Sequence, residues 1–186
     1  MGRWEPNTRE RLAKAAMELY AERGFEQTTV AGIAQRAGLT ERTFFRHYAD
    51  KREVLFAGSG ELEALFVRAV AEAPGGLGPL GALAVGLDAV GEVFTGRREF
   101  ARQRQAVIAA TAELQERELI KLASMAAALA GALRERGVEA PDASLAAEVG
   151  IAVFKVGFER WVEAADERPM GDVMREALDG VKGLVR

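Results

Sequence analysis

A short stretch near the N-terminus combines several groups that recognise nucleic acid. Arg42 and Arg46 are cations, Thr43 carries a hydroxyl, and His47 carries the one imidazole of the chain. Phe45 adds an aromatic ring, which can meet the methyl group of thymine in the major groove of DNA. Cations, polar groups and one apolar ring on the same segment predict that it enters a groove of double-stranded DNA.

The rest of the sequence offers no such set of groups for catalysis or metal binding. The chain contains no cysteine and one histidine, which excludes a disulfide framework, a cysteine zinc site and a centre with several histidine ligands. No nucleophile stands beside a base in a motif. We therefore expect no catalytic residues, no metal, no cofactor and no enzymatic activity.

Composition and charge place these groups in a globular protein with a basic N-terminal part. Of the 186 residues, 49% are hydrophobic and 28% are charged, which is typical of one or two soluble domains. No apolar run approaches the ~18 residues that cross a bilayer, so we expect a cytoplasmic protein without membrane contact. Residues 1–58 hold ten Lys or Arg and eight Asp or Glu, a net charge of +2, whereas the whole chain carries −3.

Sequence features typical of α-helices occur along the whole chain. The five prolines separate segments that are rich in good helix formers and that repeat apolar residues at helical spacing. This pattern predicts an all-α fold of about nine helices. The N-terminal helices begin at Asn7 or Thr8, at Thr28 or Thr29, at Thr40 and at Asp50, and the fourth runs to Ala73. Further helices are predicted near 79–94, 97–110, 112–136, 142–165 and 170–185.

The second and third predicted helices are short and are joined by a tight turn at Gly38, which is the helix-turn-helix arrangement. Phe44 and Tyr48 are expected to face a small core, so that the third helix presents its polar residues outward. We therefore divide the chain into a helix-turn-helix DNA-binding domain at residues 1–52 and a helical ligand-binding and dimerisation domain at 53–186.

The helix-turn-helix segment resembles the DNA-binding domain of the TetR family of bacterial transcriptional regulators. The resemblance rests on residues 28–53, TTVAGIAQRAGLTERTFFRHYADKRE, and on the helix before them. It implies a homodimer in which each third helix enters a major groove of a palindromic operator. The residues that it assigns to DNA contact are Thr29, Thr40, Arg42, Thr43, Phe45, Arg46, His47 and Lys51.

The resemblance implies different roles within this set. Thr29, His47 and Lys51 would bind phosphate, so replacing Lys51 should weaken binding to DNA of any sequence. The bases would be reached by Arg42, Thr43 and Phe45, while Arg46 could do either and Thr40 would cap the third helix and touch the groove.

The chain departs from the family's pattern at two positions. The family usually has Tyr where this chain has Phe45 and Phe where it has Tyr48, so Phe45 lacks a hydroxyl that often bonds phosphate. Arg36 and Arg52 are expected to be solvated or paired with acidic residues. Arg3 could reach the minor groove as an arm.

Glycines recur every five residues at Gly81, Gly86, Gly91 and Gly96, a spacing that places them on no single helical face. Each glycine costs ~1 kcal/mol relative to alanine inside a helix. We therefore expect the helix over 79–94 to be irregular or mobile.

Small residues recur every seven positions in the predicted helix over 142–165. Such a stripe lets another helix approach closely, which favours a four-helix dimer interface formed with the helix over 170–185. The alternative is that these faces pack inside the monomer. The residues assigned to the interface are Gly150, Val153, Gly157, Val173 and Ala177.

The second part of the chain also holds candidates for an effector pocket, with ordinary core packing as the alternative. Arg98 and Arg102 share a helical face and could bind an anionic effector, clamp their helix to the DNA-binding domain, or lie on a solvated face. Residues 97–121 are similar to an actinobacterial subgroup of the family that includes the mycofactocin-cluster regulator, which implies an acyl-CoA effector. The candidate effector residues are Phe66, Leu87, Phe94, Arg98, Arg102, Met125, Phe154, Phe158 and Trp161.

Together these observations predict a dimeric repressor that binds a palindromic operator. A hydrophobic or anionic small molecule, such as an acyl-CoA, would release it. Two alternatives stay open: a DNA-binding regulator without an effector, and a small-molecule carrier with a vestigial DNA-binding head.

Overall fold

The computed structural model describes residues 8–184, and within this range the regular structure is entirely α-helical. The all-α prediction is therefore confirmed. Arg3 and Asn7, which we expected to act as a DNA-reaching arm and a helix cap, lie outside the described residues. The ten helices are α1 (Thr8–Arg23), α2 (Val30–Arg36), α3 (Glu41–His47), α4 (Lys51–Leu55), α5 (Ser59–Ala71), α6 (Pro79–Val93), α7 (Arg98–Ala109), α8 (Ala112–Glu135), α9 (Ala140–Glu163) and α10 (Met170–Leu184).

The chain forms two compact units. Unit 1 comprises the described residues up to 57 together with residues 103–118, and unit 2 comprises 58–102 and the described residues from 119 onward. Each unit has its own hydrophobic core. The core of unit 1 includes Leu12, Leu19, Ile33, Phe44, Leu55, Ile108 and Leu114. The core of unit 2 includes Phe66, Leu83, Leu87, Leu129, Leu133, Trp161 and Met174.

The fourth predicted helix is wrong in its length. Instead of running without interruption to Ala73, it ends at Leu55, and α5 begins at Ser59. Gly58 lies between the two helices with a φ of 86°, in the left-handed region that glycine adopts without steric cost. The glycine therefore permits a change of chain direction that apolar periodicity alone does not reveal.

The expectation of an irregular helix over 79–94 is also wrong, because α6 is a continuous α-helix from Pro79 to Val93. Its glycines serve close packing instead. A Cβ added at Gly91 would lie 2.8 Å from the backbone N of Gly171 and 2.9 Å from its Cα, and a Cβ at Gly86 would meet the Phe66 ring. Glycine is therefore required where α6 approaches α10 and α5.

The predicted dimer stripe requires a similar correction. Gly150, Val153 and Gly157 are buried within unit 2, as are Val173 and Ala177. Their small side chains let helices of the same chain approach: a Cβ at Gly150 would lie 2.9 Å from the Leu83 side chain, and a Cβ at Gly157 would lie 2.8 Å from the sulfur of Met174. These five residues pack inside the monomer, which is the alternative that the sequence left open.

Among residues 8–184, no helix combines the length and the apolar character needed to cross a membrane.

We predict that Gly91→Ala destabilises the protein, because the added methyl group would meet the backbone of Gly171 and force α6 and α10 apart. Overpacking of this kind costs about 1–3 kcal/mol. Gly180→Ala is the matched control, because a Cβ there meets nothing within 4 Å and alanine stabilises a helix relative to glycine. Chemical denaturation should show a lower free energy of unfolding for Gly91→Ala only. Equal stabilities of the two variants would contradict the close approach.

Candidate nucleic-acid interface

The two short helices of the helix-turn-helix begin at the threonines that the sequence indicated. The Thr29 hydroxyl accepts a hydrogen bond from the backbone N–H of Gly32 at 3.1 Å, and the Thr40 hydroxyl accepts one from Thr43 N–H at 3.2 Å. Gly38 occupies the turn between the helices with a φ of 66°. These caps matter because helices of one or two turns have too few internal hydrogen bonds to persist alone.

Helix α3 divides into a buried face and an exposed face. Phe44 is 0% exposed and Tyr48, which follows the helix, is 4% exposed, so both anchor α3 to the core of unit 1. Arg42 and Arg46 are exposed, Thr43 is half-buried, and Phe45 is 55% exposed. The structure therefore brings the predicted base-reading side chains together on the outer face of α3.

The two arginines of this face are available for an external partner. Among the described residues, Arg42 and Arg46 take part in no ion pair. Arg36, by contrast, binds Glu22 through two hydrogen bonds of 2.8 and 2.7 Å, and Arg52 binds Asp50 and Glu113. The expectation that Arg36 and Arg52 pair with acidic residues is thus confirmed.

His47 ends α3 in a half-buried position. Its Nε2 is buried and, within the described part of the chain, has no hydrogen-bond partner. A buried polar nitrogen without a partner is costly. Because this nitrogen is buried, the phosphate contact expected of His47 stays a prediction.

Lys51 has a different role from the one that the sequence indicated. Its ammonium donates hydrogen bonds to the carbonyl oxygens of Phe25 at 2.8 Å, Glu26 at 3.3 Å and Thr28 at 2.9 Å, and it lies 4.3 Å from the centroid of the Phe25 ring. An ammonium has three donors, and here the protein uses all of them. Lys51 therefore fixes the loop between α1 and α2, and the expected phosphate contact is corrected.

Three further side chains hold the helices of unit 1 through bonds to backbone carbonyls. The Tyr20 hydroxyl donates to Lys51 O at 2.6 Å, the Tyr48 hydroxyl to Arg9 O at 3.1 Å, and Arg11 to Ala37 O at 2.7 Å. Burial raises the pKa of both tyrosines above the ordinary value, so their hydroxyls stay protonated and able to donate. Sequence reasoning missed Tyr20 and Arg11, because the partners lie 26 or more residues away.

Helix α4 is held at both ends. At its start, the Asp50 carboxylate accepts from Glu53 N–H at 3.0 Å and from Arg52. Burial alone would raise the pKa of Asp50, but these hydrogen bonds and the Arg52 charge outweigh burial and keep the pKa below its ordinary value. The cap is therefore ionised at neutral pH. The Glu53 carboxylate pairs with Arg117.

The end of α4 is held by Arg104 of α7. The Arg104 side chain donates to Leu55 O at 2.6 Å, lies 5.2 Å from the Phe56 ring centroid and pairs with Glu118 at 3.1 Å. Burial lowers the pKa of this guanidinium, and Glu118 opposes that effect. Arg104 therefore ties α7 to the end of α4 inside unit 1.

Arg98 and Arg102, the candidate residues for an anionic effector, bind carbonyls at the end of α9 and in the loop that follows it. Arg102 donates to Val162 O at 2.9 Å, and Arg98 donates to the carbonyls of Asp166 and Arg168. Arg98 also lies 5.1 Å from the Trp161 ring centroid. A cation near a helix C-terminus satisfies a free carbonyl, as Arg102 does at Val162. Both arginines thus have partners inside unit 2, and an anionic effector at either of them stays a prediction.

The apolar candidates for an effector pocket lie in the packed core of unit 2. Phe66, Leu87 and Met125 are buried there, as are Phe158 and Trp161. The half-buried rings of Phe94 and Phe154 join them: Phe94 lies 5.5 Å from Phe158 and 5.9 Å from Trp161, and Phe154 stacks on Phe158 at 6.1 Å. The structure therefore gathers four of the candidates into one aromatic cluster and places Phe66, Leu87 and Met125 in ordinary core positions.

Two families match the chain. Residues 12–57 match the family described as "Bacterial regulatory proteins, tetR family", and residues 77–185 match the "MftR C-terminal domain". The first match covers the helix-turn-helix and the second covers more than half of the chain.

Individual proteins agree with the family matches. The chain is 39% identical to the "HTH-type transcriptional regulator TcmR" of Streptomyces glaucescens over 93 residues, which are 50% of this chain and 41% of that protein. It is 39% identical over 54 residues to the "Putative mycofactocin biosynthesis transcriptional regulator MftR" of Mycobacterium tuberculosis, covering 29% of this chain and 27% of that protein. The match thus spans less than half the length of either relative.

A solved structure matches nearly the whole chain. It is Thermus thermophilus FadR, a TetR-family transcriptional repressor in complex with lauroyl-CoA, with a TM-score of 0.56 and 26% sequence identity. The match covers 92% of this chain and 91% of FadR.

We predict that Lys51→Met lowers the free energy of unfolding by about 2 kcal/mol, because the loop between α1 and α2 loses a charged donor to three carbonyls. Lys14→Met, at an exposed position of α1, is the matched control and should be close to neutral. Urea denaturation of both variants measures the difference. Unchanged stability of Lys51→Met, with affinity falling equally for all DNA sequences, would restore the phosphate role and contradict ours.

Proposed function

Because this chain belongs to the TetR family of bacterial regulatory proteins, we propose that it is a cytoplasmic transcriptional repressor that binds a palindromic operator as a homodimer. The observation that carries the proposal is the outer face of α3, where Arg42, Thr43, Phe45 and Arg46 lie together on a helix anchored by buried Phe44. A helix of this kind enters the major groove in helix-turn-helix proteins.

The DNA contacts divide by chemistry. Arg42 and Arg46 read bases through paired hydrogen bonds to guanine, and Thr43 adds a hydroxyl close to the start of α3. Thr29, at the start of α2, and His47, at the end of α3, bind phosphates and set the register of the helix on the duplex. Thr40 caps α3 and touches the groove.

Unit 2 supplies a surface for the second copy of the chain. Leu145, Val149, Ala152 and Val156 follow one another at spacings of four, three and four residues on α9, which is the spacing of a coiled-coil seam. Leu145 is 66% and Val156 39% exposed, and the buried residues of α9 occupy the opposite face. We place the dimer interface on this seam, which replaces the buried stripe that the sequence indicated.

Charged residues flank the seam of Leu145, Val149, Ala152 and Val156. Glu148, Lys155 and Arg160 are exposed on either side of it. An apolar centre with a polar rim is the usual arrangement of a protein interface. Charges of both signs at the rim can pair across a two-fold axis and fix the register of the two helices.

The second part of the proposal is release of the operator by a small molecule bound in unit 2. FadR of T. thermophilus is a repressor crystallised with lauroyl-CoA, and the aromatic cluster of Phe94, Phe154, Phe158 and Trp161 in this chain would suit an apolar acyl group. An acyl-CoA is therefore the effector class to test first. The effector acts only if it binds the operator-free conformation more tightly.

Helices α7 and α8 offer the covalent route for such a signal. The chain leaves unit 2 within α7 and returns to it within α8, and inside unit 1 these two helices hold α4 through Arg104, Glu113 and Arg117. A shift of either helix would therefore pull on α4, which directly follows the recognition helix.

The proposal as a whole is tested by selecting bound DNA from a random pool. We expect the selected sequence to be a palindrome with half-sites about one helical turn, or a multiple, apart. The protein should bind it at least ~1000-fold more tightly than random DNA. Acyl-CoAs should then release the protein from the labelled operator, and free CoA is the control. Enrichment without release would favour a regulator that needs no effector, and no enrichment would reject the DNA-reading function.

We predict that Ala152→Glu separates the dimer, because it buries an unpaired carboxylate in the centre of the apolar seam. Ser144→Glu is the matched control: it adds the same charge to an exposed position of α9 about a third of a turn away from the seam. Sedimentation should show a monomer for Ala152→Glu and a dimer for the control. A dimer in both cases would place the interface elsewhere.

A further inference from the structure

Phe45 is an apolar group on an otherwise polar surface. At 55% it has the largest exposed fraction of any aromatic side chain among the described residues. Arg42 and Arg46 are exposed on the same helix, Arg42 about one turn before Phe45 and Arg46 directly after it. A ring in this position has no hydrogen-bonding atom with which to meet a base edge or a phosphate.

The ring is held in a definite place. It meets the ring of Phe44 edge to face, with centroids 5.5 Å apart and planes at 84°, and Phe44 is 0% exposed in the core of unit 1. Edge-to-face contacts of this kind add to the orientation of both rings. Phe45 therefore presents its apolar surface beside the buried ring of Phe44.

The phenolic hydroxyl of Tyr48 does not face the outer surface of α3. Tyr48, three residues further on, donates its hydroxyl to Arg9 O of α1 at 3.1 Å and is 4% exposed. The outer face of α3 thus offers an aromatic ring without a hydroxyl. Its chemistry at this point is purely apolar.

In the major groove, the one apolar group that a base pair exposes is the methyl group on C5 of thymine. Cytosine carries the same methyl group only when it is methylated. Resting on the proposed DNA-reading function, we infer that Phe45 reads a C5-methyl group at one position in each half-site, and that it thereby selects thymine over cytosine there. The contact gains free energy by removing the methyl group and part of the ring from water.

The experiment removes only that methyl group. Each thymine of the selected operator is replaced in turn by deoxyuridine, symmetrically in both half-sites, and affinity is measured by fluorescence anisotropy. At one thymine position wild type should lose about fourfold in affinity per half-site, the value for one buried carbon. Cytosine at that position should bind more weakly than 5-methylcytosine, which shows that the methyl group and not the thymine O4 is read.

The Phe45→Ala variant assigns the effect to this side chain. Because Phe45 is exposed, the variant should unfold at the same denaturant concentration as wild type, and it should bind the thymine and deoxyuridine operators equally. Phe100→Ala, which removes another exposed ring outside α3, should keep the wild-type discrimination.

Each unfavourable result has its own meaning. The inference would be overturned if Phe45→Ala still lost affinity on replacement of thymine by deoxyuridine, or if wild type lost none. Either result would leave specific operator binding intact. Failure to select any operator would reject the proposed function and the inference with it.

Discussion

A helix of two turns has almost no stability of its own in water, because nucleation is costly and few hydrogen bonds repay it. Helices α2, α3 and α4 contain seven, seven and five residues, so the DNA-reading part of this protein depends on what surrounds them. Burial of Phe44 at 0% exposure supplies the hydrophobic anchor. Further support comes from the helix caps at Thr29, Thr40 and Asp50 and from side chains that bind backbone carbonyls, among them Lys51. These contacts together hold α3 so that its outer face is exposed.

Much of the helix-turn-helix part of the chain could be predicted from local sequence. The caps at Thr29, Thr40 and Asp50 and the turn at Gly38 act within a few residues, so their spacing alone indicates them. The outward face of α3 follows from helical periodicity once Phe44 is assigned to the core. Family resemblance then points to the residues that read DNA, a role that local periodicity cannot assign.

The errors arise where the outcome depends on partners far along the chain. Lys51 looks like a phosphate ligand until its carbonyl partners more than twenty residues away are known. A stripe of small residues on α9 shows only that another helix approaches closely. That helix can belong to the same chain or to a second copy of it. Gly150 and Gly157 proved to face α6 and α10 of the same chain, which leaves the opposite, exposed face of α9 for a partner. The glycines of α6 are ambiguous in a similar way, because glycines inside a helix can indicate either an irregular helix or close packing against its neighbours.

The role of α3 as a reader of DNA sequence is tested most directly by comparing Arg42→Ala with Arg36→Ala on the selected operator and on random DNA. Both variants remove one positive charge from unit 1, but the Arg36 guanidinium is already bound to Glu22. We expect Arg42→Ala to lose about 1–3 kcal/mol of binding free energy on the operator and far less on random DNA, while Arg36→Ala changes both affinities little. Equal losses on operator and random DNA for Arg42→Ala would show that α3 does not read the sequence.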